Sequence, residues 1–119
     1  MSQISSFYLL NGSQRDELSN GNCDGAVYMA IWDYCEEELD LDVRINAPQT
    51  EETADCVLID RKMAKKILTA FPEKELPRLA AELAQDWDLP FEALEDGLET
   101  LISHLEQVQS DTVLLYEMV

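Results

Sequence analysis

The sequence predicts an α+β domain, and three observations predict it. Apolar residues recur at helical spacing through the middle and second half of the chain. Short apolar runs that suit strands stand near both ends and in the middle. No linker, internal repeat or low-complexity tract divides the 119 residues. The expected form is a small single domain over residues 1–119, with about five helices packed on a short sheet of about three strands. A mostly helical fold is the alternative if the central strand fails.

Ser5 to Leu10, S-S-F-Y-L-L, reads as the first strand, closed by the turn signal Asn11-Gly12. Ser13-Gln14-Arg15-Asp16 reads as a capping box for a short helix ending near Asn20-Gly21. Asp24 caps the next helix, in which Val27, Ala30, Ile31, Tyr34 and Cys35 lie at helical spacing. Tyr28, Met29 and Trp32 fall outside that stripe. The helix is therefore buried on two sides or shows aromatic surface; a strand is the competing reading, because Val, Tyr, Ile and Trp favour sheets. Residues 46–55 read as a surface loop containing Pro48.

Cys56-Val57-Leu58-Ile59 is a short apolar run, expected as a buried strand. Asp60 caps a helix with Met63, Ala64, Ile67, Leu68 and Phe71 on one face, stopped by Pro72. Leu76, Leu79, Ala80, Leu83, Ala84 and Trp87 form another stripe, opened by Pro77. The clearest helix runs from Leu89 to Gln109, with Phe91, Leu94, Leu98, Leu101, Ile102, Leu105 and Val108 on one side. Asp88 stands where its N-cap would, and Pro90 sits in the first turn. Thr112 to Val119 is apolar on both faces and reads as an interior strand that pairs with the first.

Hydrophobic residues make up 46 % of the chain, which argues against disorder despite the charge. No apolar run approaches the roughly 20 residues of a membrane span, and the N-terminus lacks the pattern of a secretory signal. A soluble, cytoplasmic protein is expected. Cys23, Cys35 and Cys56 are widely spaced and fit reduced thiols.

The tests for chemistry give no catalytic set. No C-x-x-C knuckle supports a zinc site of the cysteines with His104. Asp40, Asp42 and Glu51 fall at calcium-loop positions, but Arg44, Ile45 and Pro48 violate the frame, so no metal is expected. Gly12, Gly21, Gly25 and Gly97 are too scattered for a phosphate loop, and no G-x-S-x-G elbow is present. Asp86 and Asp88 flank Trp87, but pairs of this kind arise by chance among so many acids. Neither an enzyme nor a cofactor is expected.

Charge is the informative feature. Twenty-five carboxylates face eight cations, giving a net charge of −17. Such a field repels nucleic acid and anionic membrane and attracts basic surfaces. From Leu79 to Val119 there is no Lys or Arg. Five of the eight cations sit instead at Arg61, Lys62, Lys65, Lys66 and Lys74, a solvated face that partly offsets neighbouring acids.

Two stretches place aromatics beside acids. One is Trp32, Asp33, Glu36, Glu37 and Glu38; the other is Asp86, Trp87, Asp88, Glu92, Glu95, Asp96 and Glu99. Aromatic anchors bordered by carboxylates are what a binder of a basic protein surface would show. The alternative is that the aromatics are core and the acids merely solvated. In size, acidity, lack of a catalytic set and an α+β pattern beginning S-S-F-Y-L-L, the chain resembles small acidic bacterial immunity proteins. That resemblance implies a non-catalytic inhibitor that blocks a toxin, with these two stretches as partner-binding residues. A second possibility is a nucleic-acid mimic, such as a phage or mobile-element protein, in which the acids at 92, 95, 96 and 99 imitate phosphates and occupy the DNA site of a defence enzyme.

Overall fold

The chain folds as β1 (Ser5–Asn11), β2 (Gln14–Asn20), α1 (Gly25–Glu37), β3 (Asp55–Ile59), α2 (Arg61–Ala70), a 3-10 turn (Glu73–Glu75), α3 (Leu76–Trp87), α4 (Phe91–Leu105) and β4 (Val113–Met118). The structure is a computed structural model and describes residues 5–20, 25–41, 43 and 55–118. The proposed cap Asp24, the loop over 46–54 and the frame positions Asp42 and Glu51 lie outside the described residues. No described helix is long and apolar enough to cross a membrane.

The α+β class holds, with four α-helices and a four-stranded antiparallel sheet among the described residues. The strand order is β2-β1-β4-β3, and β1 pairs with β4 as the sequence suggested. The difference from expectation lies at residues 14–20, which form a strand rather than a helix. Asn11 pairs with Gln14, so Gly12 and Ser13 make a two-residue hairpin loop. Gly12 has φ +61°, the positive value that a II′ turn requires of its first loop residue. The turn signal is thus Gly12-Ser13, and Ser13 is a loop residue rather than a helix cap. β2 holds one apolar side chain, Leu18, too few for a helical stripe. Its charges and the irregular register between Phe7 and Tyr8 suit an exposed sheet edge.

The ambiguity over α1 resolves in favour of a helix buried on two sides. Val27, Ala30, Ile31 and Cys35 are buried, and so are Tyr28 and Trp32. On the sheet side Tyr28 lies 5.1 Å from Phe7 and 5.4 Å from Tyr116, ring centre to ring centre, and Trp32 lies 5.2 Å from Tyr116. The Tyr116 hydroxyl and Ser5 Oγ share a buried hydrogen bond of 2.8 Å, tying the two central strands together. On the other side α1 meets α4 at Gly97. A Cβ there would lie 2.6 Å from Val27 Cγ1, so any larger residue would have to push that side chain aside.

α2 has the predicted cap, with Asp60 Oδ1 accepting from Met63 N at 2.9 Å. α4 is shorter than its stripe suggests. It begins at Phe91 after Pro90 and ends at Leu105, beyond which Val108 is buried from a turn. Asp88 is not its N-cap. It closes α3 instead, with φ 53° and ψ 51°, and its backbone N–H bonds to Ala84 O.

The crossing at Gly97 generates a prediction. Gly97→Ala gains roughly 1 kcal/mol of helix propensity but forces a stiff valine aside, at about 1–3 kcal/mol. Net destabilisation of about 1 kcal/mol is expected by denaturant unfolding. The same change made in a Val27→Ala background should be neutral or stabilising, because the obstructing methyl is gone.

Candidate functional site

The corner between α3 and α4 is where the surface departs from the ordinary. Trp87, the last residue of α3, is 38 % exposed, and Phe91, the first of α4, is 40 % exposed. They are the exposed large hydrophobics among the described residues. Leu89 between them turns inward and packs against the core. The chain reverses through Asp88 in its left-handed conformation, so the two aromatics stand at one corner on either side of the turn.

Acids surround this corner. Asp86, Asp88, Glu92, Asp96 and Glu99 are exposed, and Glu95 is half-buried. Glu92, Asp96 and Glu99 repeat at helical spacing along one face of α4, covering roughly 10 Å of its length. Among the described residues none of these carboxylates forms an ion pair. Acids farther back behave otherwise: Glu75, in the 3-10 turn before α3, and Glu82, within α3, accept from Arg78 at 2.8 and 3.4 Å. The corner therefore keeps its negative charge uncompensated, and Glu92 in the first turn of α4 is further favoured by the helix dipole.

The other acidic stretch is different. Trp32 is 0 % exposed in the core, so it cannot anchor a partner. Asp33 and Glu36 are half-buried, and only Glu37 and Glu38 are exposed. Tyr34 leans on Phe71 at 5.8 Å. Its hydroxyl is pushed above its ordinary pKa by burial first, then by the charges of Glu82 and Glu38. The end of α1 thus lies alongside the first half of α3, and it offers no exposed aromatic. Phe91, like Trp87 at the end of the α3 stripe, is exposed although spacing placed it on an apolar face. It fits the apolar stripe by spacing, but a first-turn position leaves it outside the layer that buries Leu94, Leu98 and Leu101.

Two of the residues considered for catalysis are enclosed, the pair Asp86 and Asp88 is exposed, and Cys23 lies outside the described residues. His104 is 7 % exposed, packed 5.0 Å from the Phe7 ring, and Cys35 is buried in α1. Among the described residues no group of three or more His, Cys, Asp or Glu is placed to hold a metal ion. On α2, Arg61, Lys62, Lys65 and Lys66 are exposed and form no ion pair among the described residues.

Burial holds the His104 pKa below the ordinary 6.5, overriding the favourable end of the helix dipole. The unfolded chain therefore binds this proton more readily than the folded one. Stability should fall as pH drops below about 6.5, until the folded-state pKa is reached. Chemical denaturation between pH 7 and the mid-fives should show this decline, and His104→Gln should flatten it.

Asp88→Gly removes the cost of a side chain in the left-handed region. It should raise stability by up to about 1 kcal/mol in thermal or urea unfolding.

The chain matches no protein-family model, no curated protein and no solved structure, so the functional reading rests on this geometry.

Proposed function

We propose that this is a non-catalytic acidic protein that neutralises a basic protein partner, as an immunity protein blocks a bacterial toxin. The observation that carries the reading is the α3–α4 corner, where exposed Trp87 and Phe91 stand among carboxylates that form no ion pair among the described residues. A solubilising charge coat does not need two large aromatics in water. A docking surface does, because burying them supplies affinity while the surrounding charge speeds encounter and selects a basic partner. The partner-binding set is Asp86, Trp87, Asp88, Phe91, Glu92, Glu95, Asp96 and Glu99, with Glu37 and Glu38 as outlying charge. An aromatic anchor pair also favours one cognate protein over general mimicry of a phosphate backbone, for which carboxylate spacing alone would serve.

The test is affinity capture from the native host with the intact protein and with Trp87→Ala and Phe91→Ala. The wild-type chain should retain one basic protein at low salt and release it at high salt. Each aromatic truncation should weaken that complex by roughly thirtyfold or more, as expected of an anchor. Retention of many unrelated DNA-binding enzymes would favour a nucleic-acid mimic instead. Retention of no basic protein would remove the reading altogether.

A further inference from the structure

The sheet has a second apolar face that the helices do not use. Alternation along the strands sends Phe7, Val57, Ile59, Leu114 and Tyr116 into the core. The register places Tyr8, Leu115 and Leu58 side by side on the opposite face, with Leu10 beside Val113. None of these five belongs to the core cluster or to the partly buried residues packed against it. An antiparallel sheet with one face in water ordinarily shows polar side chains there. This one shows four half-buried apolar residues around Leu115, which is itself only 5 % exposed, so the face is partly open to solvent.

Charge singles out the same face. The register leaves it Arg15, Glu17 and Glu117 as charged groups among the described residues. Arg15 lies 4.0 Å from the centre of the Tyr8 ring and 2.8 Å from the Glu117 carboxylate, so one acid is already neutralised. In a chain of net charge −17 this face is close to neutral.

We propose that the outer face of the sheet is a self-association surface, against which a second copy of the chain packs the same face. A basic partner is drawn to uncompensated acids, and this face has few. Two copies of a strongly negative chain can meet closely only where neither brings its acids, and the apolar sheet face satisfies that condition. A two-fold pairing makes the surface complementary to itself, and two such faces would stack roughly 10 Å apart.

The salt dependence has a definite sign. Like-charged copies repel, so added salt should strengthen the dimer, whereas it weakens capture of a basic partner. Sedimentation equilibrium of the whole chain should give a mass that climbs from one chain toward two with concentration, and more readily at high salt. Leu58→Lys and Val113→Thr should each weaken association by about tenfold or more with far-UV circular dichroism unchanged. If Leu58→Lys disturbs the fold, the near-isosteric Val113→Thr decides. Trp87→Ala should leave the dimer intact, which separates this surface from the α3–α4 corner. A single-chain mass at every concentration in high salt would overturn the proposal, as would a dimer indifferent to both sheet-face variants.

Discussion

The approach of α1 to α4 at Gly97 sets the spacing of the helical layer. With no side chain at that position, Val27 and Ile31 can lie directly against α4. That brings α1 deep enough for Tyr28 and Trp32 to reach the sheet on its other side, where they join Phe7 and Tyr116 in one aromatic cluster. Trp32 pays the cost of this depth: its indole N–H finds no partner among the described residues, a loss of roughly 1–3 kcal/mol. The large apolar area of the ring offsets it. α3 packs along α4, and the chain must then reverse sharply between them. The αL conformation of Asp88 and the exposed aromatics beside it follow from that reversal.

With its apolar side chains committed to this core, the chain carries its carboxylates outside. The described ion pairs are few and exposed: Arg78 with Glu75 and Glu82, and Arg15 with Glu117. Pairs of that kind contribute little to stability. The fold therefore tolerates self-repulsion rather than balancing it, and the repulsion is spread unevenly. Among the described residues the α3–α4 corner has acids without cations, α2 has cations without paired acids, and the outer sheet face has little of either. One small domain thus presents surfaces with three different electrostatic characters, each suited to a different kind of neighbour.

How much of this was legible in the sequence depends on how much each segment is governed by its own residues. α2, α3 and α4 carry single apolar stripes, and their positions follow from periodicity. β2 did not follow, because Ser13-Gln14-Arg15-Asp16 satisfies a helix-capping pattern and the strand is held by pairing to β1, a non-local interaction. α1 was ambiguous because a helix buried on both sides has no polar face to reveal its period. The acidic corner was visible as composition, and Trp87 with it. Trp32, left open by spacing and weighed as an anchor for its acidic neighbours, is core, and Phe91, which fits its stripe, is exposed, since exposure depends on where neighbouring helices begin and end. A heptad-like match says which face a residue is on, not whether another element covers that face.

The two tryptophans lie in opposite environments, Trp32 sealed in the core and Trp87 exposed among acids. Fluorescence quenching at low ionic strength by caesium and by iodide tests that assignment together with the local charge. One tryptophan population should be quenched strongly by the cation and weakly by the anion, and Trp87→Phe should abolish it, leaving the protected Trp32. Equal quenching by both ions, or two tryptophans that neither ion reaches, would contradict the account.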